Sequence, residues 1–91
     1  MDNITQRVDT AYTQLTRISD KRARRDLLLM MRTIDRKVTE LDQASVECRR
    51  LHKITPKYAE LEQECRDLLT NIEQHITFAN LLGWRDSNNH I

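Results

Sequence analysis

The chain has 91 residues, of which 38% are hydrophobic and 32% are charged, and its formal net charge is +1. This length allows one domain, and the near-neutral balance argues against a general nucleic-acid binder, which needs an excess of positive charge. A single glycine and a single proline leave little material for turns, so the composition predicts long helices rather than a sheet.

A first helix is predicted over residues 3–18. Its apolar side chains recur at alternating steps of four and three residues, at Ile4, Val8, Ala11, Leu15 and Ile18. This spacing places them on one helical face, and Asp2 or Asn3 can cap the first turn. Several threonines lower the intrinsic helicity, so packing is expected to stabilise this helix.

A basic run follows the first helix and interrupts its apolar pattern. The run consists of Lys21, Arg22, Arg24 and Arg25, between Asp20 and Asp26. Its interpretations are a nuclear import signal, a contact with an acidic partner, a weaker nucleic-acid contact, or only a solvated helix face.

The boundary between the first two helices has two interpretations. Continuing the first apolar face would bury Arg22 and Arg25, which is costly. Either Ser19 or Asp20 caps a new helix after a turn, or one continuous helix rotates its buried face through a skip in the heptads.

A second helix is predicted over residues 20–52. Its heptad positions are Leu27, Met31, Ile34, Val38, Leu41, Ser45, Cys48 and His52. Leu28 and Met30 widen the apolar face near its start, where a second partner could pack.

A third helix is predicted over residues 56–82, with Thr55 as its N-cap and Gly83 as its C-cap. Its heptad positions are Tyr58, Leu61, Cys65, Leu68, Ile72, His75, Ala79 and Leu82. An outer shoulder of Leu69, Ile76 and Phe78 remains beside them. Trp84 either folds back onto the helix end or serves as an interface anchor, at the start of a polar tail over 84–91.

The predicted fold is all-α, with one helical domain over residues 1–83. The short connection at Pro56 predicts an antiparallel hairpin of the second and third helices. Residues 1–54 carry twelve basic and eight acidic groups, against three and six in residues 55–91, which favours their pairing. The first helix either completes a three-helix bundle or continues the second helix toward another chain, in a hairpin that oligomerises.

Chemical motifs are sparse. Cys48 and Cys65 lie on the apolar faces, so buried thiols in a reducing compartment, cytoplasm or nucleus, are expected. The sequence suggests no catalytic, metal or cofactor site and no small-molecule substrate. Residues 1–20 show no apolar stretch typical of a signal peptide, so none is expected, and the longest apolar run is too short to cross a membrane.

These patterns predict a non-enzymatic subunit, a small helical scaffold or adaptor that binds a helical protein or a second copy of itself. The partner-binding residues are expected to be Leu28, Met30, Met31, Leu69, Ile76, Phe78 and Trp84. One alternative is a nucleic-acid- or chromatin-associated module that uses the basic run. Another is a small all-helical enzyme, which would need polar groups that converge in a pocket.

Overall fold

The computed structural model describes the backbone of residues 3–88 and the side chains of residues 3–81. It contains three helices: α1 (Ile4–Leu15), α2 (Lys21–Leu51) and α3 (Pro56–Asn88). Each helix packs against the other two, and the described residues form no strand. The predicted all-α helical bundle is therefore confirmed.

Helix α1 begins at an asparagine cap. The Asn3 side-chain oxygen accepts hydrogen bonds from the backbone N–H groups of Thr5 at 3.0 Å and Gln6 at 3.4 Å. The α-helix ends at Leu15, and the chain continues in tighter turns, where the Ile18 N–H donates to the Leu15 carbonyl at 3.1 Å. Ile18 therefore remains on the buried face although it lies beyond the helix.

A turn separates α1 from α2, which decides between the two interpretations of this boundary. Asp20 is extended, with φ −72° and ψ 112°, and its carboxylate accepts from the Arg22 N–H at 2.9 Å and the Ala23 N–H at 3.5 Å. The Arg24 guanidinium donates to the Ile18 carbonyl at 2.9 Å and closes the turn. These bonds satisfy groups that would otherwise be unpaired at the helix ends.

Helix α2 ends without glycine. His52 adopts the left-handed conformation, with φ 56° and ψ 34°. Its N–H donates to the Arg49 carbonyl at 3.3 Å, and the Lys53 N–H donates to the Cys48 carbonyl at 3.1 Å, which is a Schellman motif. His52 is exposed, so its predicted place on the apolar face is wrong: the left-handed turn takes it off the helix.

The predicted hairpin of α2 and α3 is antiparallel. Thr55 caps α3 by accepting from the Tyr58 N–H at 3.3 Å, and its own N–H donates to the Cys48 sulfur at 3.4 Å. Further along, Lys37 of α2 pairs with Glu64 of α3 at 3.0 Å. These contacts align the end of α2 with the start of α3.

Helix α3 does not end where the sequence predicts. It passes through Gly83 and continues to Asn88, so the first five residues of the predicted tail, 84–88, are helical. The prediction that Gly83 caps the helix is therefore wrong. One glycine inside a helix costs about 1 kcal/mol relative to alanine. This free-energy cost disfavours the helix at that position but does not by itself end it.

The core lies where α1 rests in the groove between α2 and α3. Fully buried large side chains come from all three helices: Leu15, Met31, Ile34, Leu69, Ile72 and Ile76. No polar or charged side chain is buried among the described residues. The first helix therefore completes the bundle within its own chain.

The buried face of α3 is rotated relative to the predicted heptad. Leu69 and Ile76 are buried where the heptad placed Leu68 and His75, and His75 is exposed. The reason is α1, which packs on this side of α3, as the 2.7 Å ion pair between Arg7 and Glu73 shows. On α2, Ala44 is buried and Ser45, which the heptad placed on the apolar face, is only partly buried.

Candidate protein-interaction surface

Three of the predicted partner-binding residues lie inside the protein. Met31 and Leu69 are 0% exposed and Ile76 is 2% exposed. They pack in the same core cluster as the apolar side chains of α1. The outer shoulder at Leu69 and Ile76 is thus covered by α1, and it offers no surface to a partner in this fold.

The other predicted residues have different surroundings. Met30 is partly buried and packs against the core, whereas Leu28 and Phe78 are 42% and 62% exposed. The side chain of Trp84 lies outside the described residues; its backbone belongs to α3. Leu28 and Phe78 therefore remain as accessible members of the predicted set.

Helix α3 carries an exposed apolar pair on its outer face. Leu81 lies one turn after Phe78 and is 59% exposed. Polar side chains of the same face, Thr70, Gln74 and Thr77, border the pair. The sequence analysis missed Leu81, although its spacing of three residues from Phe78 was the signal that could have identified it.

Helix α2 carries a second apolar pair near its start. Leu29, which is 55% exposed, lies beside Leu28. Leu29 does not lie on the buried helix face, so the heptad spacing gives no signal for it. These two pairs, Leu28 with Leu29 and Phe78 with Leu81, are called here the α2 pair and the α3 pair.

The basic run divides into two kinds of side chain. Arg24 is partly buried and holds the α1–α2 turn through its bond to the Ile18 carbonyl. Lys21, Arg22 and Arg25 are exposed, and with Leu28 they line a shallow depression on the first turns of α2. The run therefore combines a structural arginine with an accessible positive surface.

Polar contacts fix α1 on the hairpin. The Arg7 guanidinium pairs with both Glu73 oxygens, at 2.7 and 3.1 Å, and the Tyr12 hydroxyl donates to the Asp35 carboxylate. That hydrogen bond, burial and the Asp35 charge raise the pKa of Tyr12 to about 12. Tyr12 is therefore neutral at physiological pH and keeps its proton available to Asp35.

Both cysteines are free and buried. Burial raises the pKa of the Cys65 thiol, which holds it in the unreactive protonated form. Among the described residues, no group of three His, Cys, Asp or Glu side chains could hold a metal ion. In the same part of the chain, no helix has an apolar stretch long enough to cross a membrane.

The chain was compared with protein-family models, with curated proteins and with solved structures, and none of them matches it.

Proposed function

We propose that this protein is a non-enzymatic interaction subunit, a small helical scaffold or adaptor that binds helices of a partner protein. The supporting observation is that large apolar side chains remain exposed after the three helices have closed their core. The α2 pair and the α3 pair are between 42% and 62% exposed. Each pair is a patch that a partner helix can cover.

The energetics support binding at paired positions. A single exposed leucine is ordinary on a protein surface and needs no explanation. Phe78 and Leu81, one turn apart on one helix face, offer two anchors for a packed helix, whereas Leu28 and Leu29 are successive residues that point about 100° apart and offer one anchor each. Full burial of a Leu or Phe side chain contributes about 1.5–3 kcal/mol. Helix-in-groove recognition uses such anchors at spacings of three and four residues.

The proposal includes a coiled-coil mode of contact and an intracellular location, in the cytoplasm or the nucleus. Heptad spacing on α2 and α3 supports the first. The free, buried thiols of Cys48 and Cys65 are in keeping with a reducing compartment and support the second.

A second candidate function is nucleic-acid or chromatin association through the basic run. The exposure of Lys21, Arg22 and Arg25 favours it. This function requires binding that weakens steeply as salt is raised and that falls when these three side chains are neutralised. No binding to duplex DNA at low salt would exclude it.

The interaction function is tested with a double variant of the α3 pair, Phe78→Ser with Leu81→Ser. Partners captured from the native source by the wild-type protein are identified by mass spectrometry and should be lost with this variant. Gln74→Ser, an exposed polar position on the same face, is the matched control and should retain them. Light scattering shows in parallel whether the captured partner is a second copy.

Both variants are surface changes, so circular dichroism should show unaltered helicity and an unaltered unfolding midpoint. The same capture profile for the wild-type protein, the double variant and the control would contradict binding at the α3 pair. Leu28→Ser with Leu29→Ser repeats the comparison for the α2 pair. Unchanged capture with both double variants would reject the proposed function.

A further inference from the structure

A row of four arginines with one leucine at its centre runs along the outer face of α2. Its members follow one another at steps of three, four, three and four residues, and all are exposed: Arg22, Arg25, Leu29, Arg32 and Arg36. On an α-helix this spacing forms one continuous stripe, about 21 Å long at 1.5 Å per residue. We call it the arginine row.

The arginine row lies opposite the buried face of α2. Leu27, Met31 and Ile34 point into the core, whereas the row occupies the other side of the helix. Its side chains are all exposed, although the charge of Arg32 reaches Tyr12 of α1, and the row extends well beyond the basic run over 21–25. The row therefore belongs to the surface and not to the bundle interface.

The four arginines have no ion-pair partner among the side chains that the structure describes. Among residues 3–81, none of them makes an ion pair, whereas Arg7, Lys37 and Arg50 each pair with a glutamate. Asp26 lies beside the row without reaching ion-pair distance, and Asp35 accepts the hydrogen bond of Tyr12. The positive charge of the row is therefore available to another molecule.

Stability of α2 does not account for this arrangement. Like charges three or four residues apart on a helix destabilise it by roughly 0.2–0.5 kcal/mol per pair. Arg22 with Arg25 and Arg32 with Arg36 are two such pairs. Carboxylates three or four residues away on the same helix, Asp26, Asp35 and Glu40, offset this cost in part. The row itself concentrates positive charge, which an oppositely charged partner would balance.

The apolar centre of the row indicates the kind of partner. Leu29 stands in the middle with two arginines on each side, and Leu28 is its exposed neighbour. A nucleic-acid backbone supplies negative charge along its length but nothing apolar for the centre. An amphipathic helix supplies both, at the same heptad spacing.

We propose that the arginine row docks an acidic amphipathic helix of another protein. Its carboxylates pair with Arg22, Arg25, Arg32 and Arg36, and its central apolar side chain covers Leu29. This inference rests on the proposed function, because it names the chemistry of a partner for the same α2 face.

The probe is a synthetic helical peptide of about three heptads, with leucine at the centre of one face and glutamates on both sides. A peptide of the same composition in scrambled order, with its glutamates spread around the helix, is the control ligand. Affinity is measured by titration calorimetry at low and at physiological salt. The ordered peptide should bind more tightly than the scrambled one.

The double reversal Arg25→Glu with Arg32→Glu should weaken this binding by about tenfold or more, since it replaces two attractive contacts with repulsive ones. Lys53→Glu with Lys57→Glu makes the same change in net charge at exposed positions outside the row and should leave the affinity unchanged. A peptide with lysines in place of its glutamates should bind a protein in which all four arginines of the row are replaced by glutamate, and it should not bind the wild type.

Four outcomes would overturn the inference. They are no peptide binding at low salt, equal binding of ordered and scrambled peptides, equal losses with the two double reversals, and tighter binding of duplex DNA than of the peptide at matched salt. Dimerisation that the reversal in the row abolishes would identify a second copy as the occupant instead. If the peptide does not bind but the capture of partner proteins still depends on the α3 pair, this inference is wrong and the proposed function stands.

Discussion

At the scale of single residues, the contact between Tyr12 and Asp35 makes the packing of α1 sensitive to alkaline pH. The hydrogen bond to Asp35, burial and the Asp35 charge raise the pKa of Tyr12 to about 12 in the folded protein. In the unfolded chain a tyrosine has its ordinary pKa of about 10. The folded state therefore holds the proton more tightly than the unfolded state does.

The sign of the pH dependence follows from this difference. The stabilising contribution of Tyr12 is complete below pH 10 and is lost as the pH rises through the folded value of about 12. We expect the free energy of unfolding to fall more steeply over this interval in the wild-type protein than in Tyr12→Phe. Urea denaturation at neutral pH and near the middle of the interval measures both slopes.

Spectroscopic titration separates this effect from other alkaline groups. The chain has two tyrosines, so Tyr58→Phe leaves Tyr12 as the only source of tyrosinate absorbance. In that background Asp35→Asn should lower the pKa of Tyr12 toward its ordinary value. An ordinary Tyr12 pKa in the presence of Asp35 would contradict the hydrogen bond.

At the scale of helices, Gly83 distinguishes two descriptions of the end of α3. If Gly83 is a helix-interior residue, Gly83→Ala should stabilise α3, because alanine is more favourable than glycine inside a helix by about 1 kcal/mol. If Gly83 is instead a left-handed cap, the same change should destabilise the helix end, because the Cβ of alanine disfavours the left-handed conformation. Urea denaturation and backbone chemical shifts of residues 81–86 should show gains in stability and helicity.

Position 80 provides the matched comparison for Gly83. Asn80 is an exposed residue within α3, one turn before the glycine. Alanine and glycine placed at position 80 measure the difference between these residues inside the helix. Alanine should give the higher free energy of unfolding at both positions. If glycine were the more stabilising residue at position 83 only, Gly83 would act as the helix cap that the sequence predicts.

Helix starts were more predictable from the sequence than helix ends. Asn3, Asp20 and Thr55 have side chains that accept backbone hydrogen bonds, so the residue type carries the signal. The end of α2 depends on a left-handed histidine, His52, whose conformation has no such signal. At Gly83 the usual signal is present, but the helix continues past it.

At the scale of the whole molecule, the surface was less predictable than the fold. Heptad spacing identifies apolar positions, but which of them stay exposed depends on where α1 packs. Leu69 and Ile76 are buried because α1 lies against their side of α3, while Phe78 stays exposed. The arginine row was recognised only in part, since its second half, Arg32 and Arg36, lies beyond the contiguous run.

The bundle is elongated, and α1 covers only part of it. The Cα radius of gyration is 16.3 Å, whereas a compact domain of this length has about 12 Å. Helix α1 has 12 residues and α2 has 31, so at 1.5 Å per residue α1 spans less than half of the hairpin. The part that it covers contains the most completely buried side chains.

Removal of α1 should therefore cost the protein its monomeric fold. Four apolar residues of this segment are buried, Val8, Ala11, Leu15 and Ile18. The three larger side chains together contribute roughly 5–8 kcal/mol by burial, which is comparable to the whole stability of a small domain, about 5–15 kcal/mol. Without residues 1–19 the hairpin would also expose Leu69 and Ile76.

The truncated chain should lose cooperative thermal unfolding, self-associate, or both, as followed by circular dichroism and light scattering. Leu15→Ala in the full chain is the graded control, with an expected loss of about 2–5 kcal/mol. A synthetic peptide of residues 1–19, added in excess to the truncated chain, should restore helicity and the monomer-sized complex, because the apolar core contacts and the Arg7–Glu73 ion pair of α1 do not need the covalent link. A truncated chain that stays monomeric with an unchanged unfolding midpoint would show that α1 does not complete the core.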